Sequence, residues 1–111
     1  MTKTTPVGAK LVTTLLDNAS AVATSESCAI SPGSRVIQSV LTGSGAVSAT
    51  VEWYGSNSPS TAHGVLIATS YLSGTHSDSS GDYIAAEWPY MYIKLTTISG
   101  TSASVTATVG V

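Results

Sequence analysis

From Val47 to Tyr54 the chain reads apolar, polar, apolar, polar without a break. Val47, Ala49, Val51 and Trp53 point one way, and Ser48, Thr50, Glu52 and Tyr54 point the other. This is the two-residue period of a strand with one face in a core, and it places Trp53 in that core. The period recurs along the chain. "KLVTTLL" from Lys10 and "SCAI" from Ser27 are short candidate strands. "SRVIQSVL" from Ser34 sets Val36, Gln38 and Val40 against Arg35, Ile37, Ser39 and Leu41. "VLIATSYL" from Val65 follows, then "YMYIKLTTI", where Met91, Ile93 and Leu95 alternate with Tyr90, Tyr92 and Lys94. Last comes "ASVTATV", with Ala103, Val105, Ala107 and Val109 on one face.

Turn signals separate these runs. Pro32-Gly33 precedes one strand, Gly43-Ser44-Gly45 predicts a hairpin connection, and "GSNSPS" from Gly55 breaks another strand. "SGTHSDSSGD", Ser73 to Asp82, is a loop by composition; Pro89 opens the next strand, and Ser99-Gly100-Thr101 predicts a turn. The best helix alternative is one turn around "LLDNASAVA", and its apolar spacing is poor. Short strands with turns every 8–12 residues or so predict an all-β, antiparallel β-sandwich or barrel. The length of 111 residues suits one domain. Met1 to Ala9 is polar, with Pro6 and Gly8, and reads as a flexible arm ahead of a single domain over 10–111.

Charge narrows the function. Charged residues make up 9% of the chain, and Ser and Thr, with 19 and 16 copies, take their place. The fixed cations are Lys3, Lys10, Arg35 and Lys94, and the net charge is −2. Nucleic acid binding needs clustered cations to displace counterions, so this composition argues against it. No apolar run approaches the roughly 20 residues of a membrane helix. The first ten residues hold no apolar signal-peptide core. Cys28 is the single cysteine, which excludes an internal disulfide and a Cys-based metal site and suits a reducing cytoplasm. Asn18-Ala19-Ser20 is a glycosylation sequon, relevant only to a secreted chain.

No catalytic constellation stands out. His63 and His76 are the only imidazoles, and neither lies beside a nucleophile motif such as G-x-S-x-G. Asp78 and Asp82 share one polar segment but have no cleft to set the separation that paired carboxylates need. His76, Asp78 and Asp82 offer oxygen and nitrogen donors for a cation, yet "HSDSSGD" departs from the calcium-loop pattern. Gly43-Ser44-Gly45 lacks the helix and Lys-Ser/Thr of a phosphate loop. The expectation is a non-enzyme with no cofactor and no metal. The seven aromatics remain as contact groups: Trp53 in the core, Trp88 over the end of the sandwich, and Tyr54, Tyr90 and Tyr92 as surface anchors beside Tyr71 and Tyr83.

Four stretches in order carry a resemblance: "LLDNASAVATS", "AISPGSRVIQSVLTGSG", "VSATVEWYGSN" and "WPYMYIKLTTISGTSASVTATVGV". Over about Leu11 to Val111 the chain resembles small virion proteins of tailed bacteriophages, in particular the capsid decoration or "staple" proteins of epsilon-type short-tailed phages. The resemblance implies a jelly-roll-like β-sandwich that clamps neighbouring major capsid protein subunits from outside, on the outer capsid surface of a virion assembled in the host cytoplasm. A homodimer at two-fold positions is compatible with it. Similar proteins often carry Asp-Gly after "GSN"; here Ser58-Pro59-Ser60 follows, which predicts a different turn. The expected partner contacts are Thr4, Thr5, Pro6 and Val7 of the arm, with Tyr54, Tyr90 and Tyr92 of the domain. The alternative reading is a β-sandwich module that is fibre- or tail-associated in the virion, or that binds carbohydrate through its aromatics.

Overall fold

The computed structural model describes residues 3–7, 10–30, 35–84 and 88–110. The ends of the expected arm, residues 1, 2, 8 and 9, and the Pro32-Gly33 turn lie outside this range. The protein is all-β and antiparallel, as its alternation requires. Seven strands run in the order β1 (Lys3–Val7), β2 (Lys10–Ala19), β3 (Ala23–Thr24), β4 (Cys28–Ala29), β5 (Arg35–Ser56), β6 (Val65–Ile84) and β7 (Tyr90–Gly110). They join in the order β1-β2-β7-β5-β6, with β3 and β4 also pairing with β7.

Three of these strands are too long to be straight. β5 has 22 residues, β6 has 20 and β7 has 21. A straight strand of 22 residues would run about 70 Å at ~3.3 Å per residue. The longest dimension of the molecule is 39 Å. The strands therefore fold over at one shared corner. The register slips there on both sides of β5, between Thr42 and Ala46 against β6 and between Thr42 and Ser48 against β7. Four residues at the corner take positive φ: Gly45 (77°), His76 (74°), Gly100 (119°) and Ser102 (57°). Gly100 is the most constrained of these. A Cβ there would sit 2.6 Å from the Ala46 carbonyl oxygen, so no other residue fits without moving the backbone.

Beyond the corner each long strand continues in a second half-sheet. In one half, residues 35–42 of β5 lie between 77–84 of β6 and 104–110 of β7, and β2 pairs with the far side of β7. In the other, residues 46–56 of β5 lie between 65–75 of β6 and 90–99 of β7, with β3 and β4 outside β7. The two halves share one core: Leu15, Ile37, Leu41, Val105, Ala107 and Val109 from the first meet Val47, Val51, Trp53, Met91, Ile93 and Leu95 from the second. Trp53 is fully buried, and its Nε1–H donates to Ser70 Oγ at 3.1 Å. The alternating core faces read from β5 and β7 are the faces that pack here. Arg35 is buried in line with Ile37 and Leu41. Trp88 packs against the backbone of Gly55 at the end of the core.

Several local expectations are corrected. Gly43-Ser44-Gly45 and Ser99-Gly100-Thr101 do not end strands; both lie inside β5 and β7 at the corner. Their glycines supply the bend without breaking the ladder, as bulges do. Ser73 to Asp82 is not a loop but lies in the second half of β6, which among the described residues pairs with β5 alone, and an edge strand tolerates turn-like composition. As its poor apolar spacing predicts, the run around Asp17 is not helix; it is strand, continuing to Ala19 across two register shifts. "GSNSPS" does break β5, and the new turn there is built from hydroxyls: Ser58 N–H donates to Ser56 Oγ, Ser60 N–H to Ser58 Oγ, and Ala62 N–H to Ser60 Oγ. Each is the two-residue side-chain turn that Ser favours.

Candidate functional site

The outward face of the second half-sheet gathers the aromatics that the sequence singles out. β5 and β7 are paired so that Tyr54 lies opposite Tyr92 and Glu52 opposite Lys94. Cross-strand partners share a face, so all four lie on the side opposite Trp53. The Tyr54 and Tyr92 rings stack with centroids 5.1 Å apart and planes 3° from parallel. The Tyr54 hydroxyl donates to Glu52 Oε1 at 2.7 Å. Lys94 Nζ sits 5.0 Å from the Tyr54 ring centroid, within cation–π range. The Glu52 hydrogen bond is the main reason the Tyr54 phenol is held above its ordinary pKa, joined by desolvation and by the negative charge of Glu52.

Tyr92 is not part of an exposed stripe. It is 1% exposed. The segment after β5 folds over it, and Gly64 N–H donates to the Tyr92 hydroxyl at 2.9 Å. A Cβ at Gly64 would run into the Tyr92 ring, so the glycine is what lets the backbone close on the phenol. Strict alternation puts Tyr92 outside the sandwich core, and it is outside. It is buried by the 57–64 connection, which periodicity does not report. Tyr54 and Tyr90 are half-buried. Tyr90 stands opposite Ser56 of β5 and Ala29 of β4. On this face the Tyr54 and Tyr90 rings are therefore partly open to solvent, and Tyr92 is buried with its ring stacked on Tyr54.

The other expected contact residues lie elsewhere. Thr4, Thr5, Pro6 and Val7 belong to β1, whose backbone pairs with β2 as Thr4↔Thr13, Thr5↔Val12, Pro6↔Leu11 and Val7↔Lys10. They are at the outer edge of the first half-sheet, on a different element from the tyrosines. Two aromatics without a place in the expected set are the most exposed: Tyr71 at 77% and Tyr83 at 60%. Both lie on β6. The loop reading of Ser73 to Asp82 hid Tyr83, and a strand reading of that stretch would have set it beside Val36, its partner in register.

The candidate chemical groups are engaged in structural bonds. His76 Nδ1 accepts from Gly45 N–H at 3.1 Å, tying β6 to β5 at the corner. The Asp78 carboxylate accepts from the N–H groups of Ser73 and Ser79, and Asp82 from that of Tyr83. His63 is exposed. Among the described residues no three His, Cys, Asp or Glu side chains come together as a metal site. Burial pushes the Cys28 thiol up, against a smaller downward pull from its hydrogen bond with Thr13. A groove of about 580 Å³ opens between β2 and β3, lined by Leu15, Leu16, Asp17, Ala23 and Glu26 among others. It is separate from the tyrosine face.

No known family model matches the chain, and no curated protein matches it.

Proposed function

We propose that this protein is a structural subunit of a bacteriophage virion, a capsid decoration or staple protein that binds the outer surface of the major capsid protein shell and stabilises it. The observation that carries the reading is the strand order. Taking β2, then β3 with β4, then the two halves of β5, β6 and β7 as eight successive segments, one half-sheet has the order first, eighth, third, sixth. The other has second, seventh, fourth, fifth. We read this as a jelly-roll order, two sheets wound as nested Greek keys, an arrangement recurrent in viral capsid and lectin domains, and it supports the capsid reading. Three of the four stretches behind the phage resemblance fall mainly on β5 and β7, the two strands at the centre of both halves, and the first falls on β2 and β3.

The surface suits this role. A staple works by contact area and hydrogen bonds across a subunit seam, and its interface is formed once and kept. Tyr54 and Tyr90 supply aromatic anchors. The edge strand β1, with Thr4, Thr5, Pro6 and Val7, supplies backbone at the side of the molecule. Particles carrying the protein should hold it at copy numbers comparable to the shell protein, as quantified in purified virions. A few copies per particle would instead support a fibre or tail component. That second reading draws on Tyr71, whose exposed ring is the kind of platform on which sugars stack. It requires binding to polysaccharide that Tyr71→Ala abolishes.

A further inference from the structure

The ladder between β5 and β6 is interrupted at the corner. Thr42 pairs with Ser77 and Ala46 with Thr75, so Gly43, Ser44 and Gly45 of β5 stand opposite the single residue His76 of β6. The extra residues of such a bulge are left outside the regular ladder. The His76 ring reaches across this gap, and its Nδ1 accepts from Gly45 N–H at 3.1 Å. Nδ1 can accept only while the ring is neutral, with its proton on Nε2. A doubly protonated ring has two donors and no acceptor. Both residues take positive φ, 77° at Gly45 and 74° at His76. A residue other than glycine holds that conformation only where its surroundings over-determine it, and the Gly45 bond is one such constraint. His76 is exposed, so protons reach its ring directly from solvent.

We propose that His76 is an acid-sensitive latch: protonation of its imidazole breaks the tie from β6 to Gly45 and loosens the corner on the β6 side. Imidazole is the side chain whose charge ordinarily changes between about pH 5 and 8. The tie is whole while the ring is neutral and is lost as the pH falls through its protonation. The imidazolium then sets one N–H against another at Gly45, donor facing donor. Nothing else at the corner takes over this titration. Residues 42–47 of β5 and 98–104 of β7 include no titratable side chain. On β6 itself Asp78 is the nearest, and its carboxylate already accepts from Ser73 and Ser79 N–H. Asp82, farther along, accepts from Tyr83 N–H. Asp17, on β2, and Glu26, between β3 and β4, lie beyond β7. The core on either side of the bulge, Leu41 and Val47, is apolar and buried. The change is therefore local: residues 43–45 and 74–77 loosen while both half-sheets keep their ladders. The latch stands on the corner alone and does not depend on the virion reading.

The test is amide-proton NMR on the purified full chain at about pH 7.5 and about pH 5, for wild type, His76→Asn and His76→Gly. Asn tolerates positive φ and offers a carbonyl oxygen that does not titrate. Gly keeps the backbone conformation and offers no acceptor. Protection of the Gly45 amide, corrected for intrinsic exchange at each pH, should fall about three- to tenfold in wild type on acidification, the equivalent of one net hydrogen bond. It should hold at both pH values in His76→Asn and be low at both in His76→Gly. His63 is present in all three chains, so its titration cancels in the comparison. Equal protection of the wild-type Gly45 amide at both pH values overturns the proposal. So does a His76→Asn chain that loses protection as wild type does, or a His76→Gly chain as protected as wild type at the higher pH. If a variant fails to fold, wild type decides alone: the Gly45 amide resonance must shift with the same midpoint as the His76 ring protons. A Gly45 resonance that does not follow His76 overturns the latch.

Discussion

Trp53 shows how one side chain joins the two roles of its strand. It closes the alternation that begins at Val47, fills the core where the half-sheets meet, and directs its indole N–H to Ser70. Trp53→Ala should cost about 3–5 kcal/mol as a cavity mutation, with the unpaired Ser70 hydroxyl adding to it, and a thermal melt would show the loss. Tyr54 on the opposite face makes a different prediction. Its phenol must stay protonated to donate to Glu52, and its pKa in the folded chain lies above the ordinary 10.0. The stabilisation is therefore complete below pH 10 and lost as the pH rises through the raised value. Tyr54→Phe should flatten that alkaline loss in a melting series, and an unchanged pH dependence would remove the bond from the account. Cys28, buried and with its thiol pushed up, should react slowly with alkylating reagents until the chain unfolds.

At the scale of elements, the corner is the feature on which the sandwich depends. β5, β6 and β7 turn at one line, and the positive-φ positions Gly45, His76, Gly100 and Ser102 are spread over all three strands. Gly100→Ala should destabilise by more than the ~1 kcal/mol typical of a strained glycine replacement, because the new methyl also meets the Ala46 carbonyl. Equal melting temperatures would show that the corner is more yielding than its contacts suggest. The same corner explains where the sequence misleads. Gly43-Ser44-Gly45 and Ser99-Gly100-Thr101 carry the chemistry of a hairpin, and a bend within a continuous strand needs the same residues. Core faces are legible because burial imposes a period of two, as at Val47–Trp53 and Ala103–Val109. An edge strand such as β6, which among the described residues pairs with β5 alone, has a sequence free to look like a loop. Tyr92 fails for a third reason: its cover comes from a distant connection that closes through Gly64. For β1, a chain beginning at Lys10 should melt close to the full chain while binding shells less well, and equal binding would remove β1 from the interface.

The whole molecule offers a partner little charge. Ten formal charges are spread through 111 residues, and one of the four cations, Lys94, already lies over the Tyr54 ring. Attachment by hydrogen bonds, bridging water and tyrosine anchors should persist across about a tenfold change in salt, the range over which exposed ion pairs are screened. All of this rests on the protein acting as a staple. The most direct measurement is the heat resistance of virions made with and without it, followed by release of the packaged genome. Particles lacking the protein should assemble, release their contents at a lower temperature, and recover when purified protein is added back. Identical release curves with and without the protein, or no recovery on add-back, would contradict the claim.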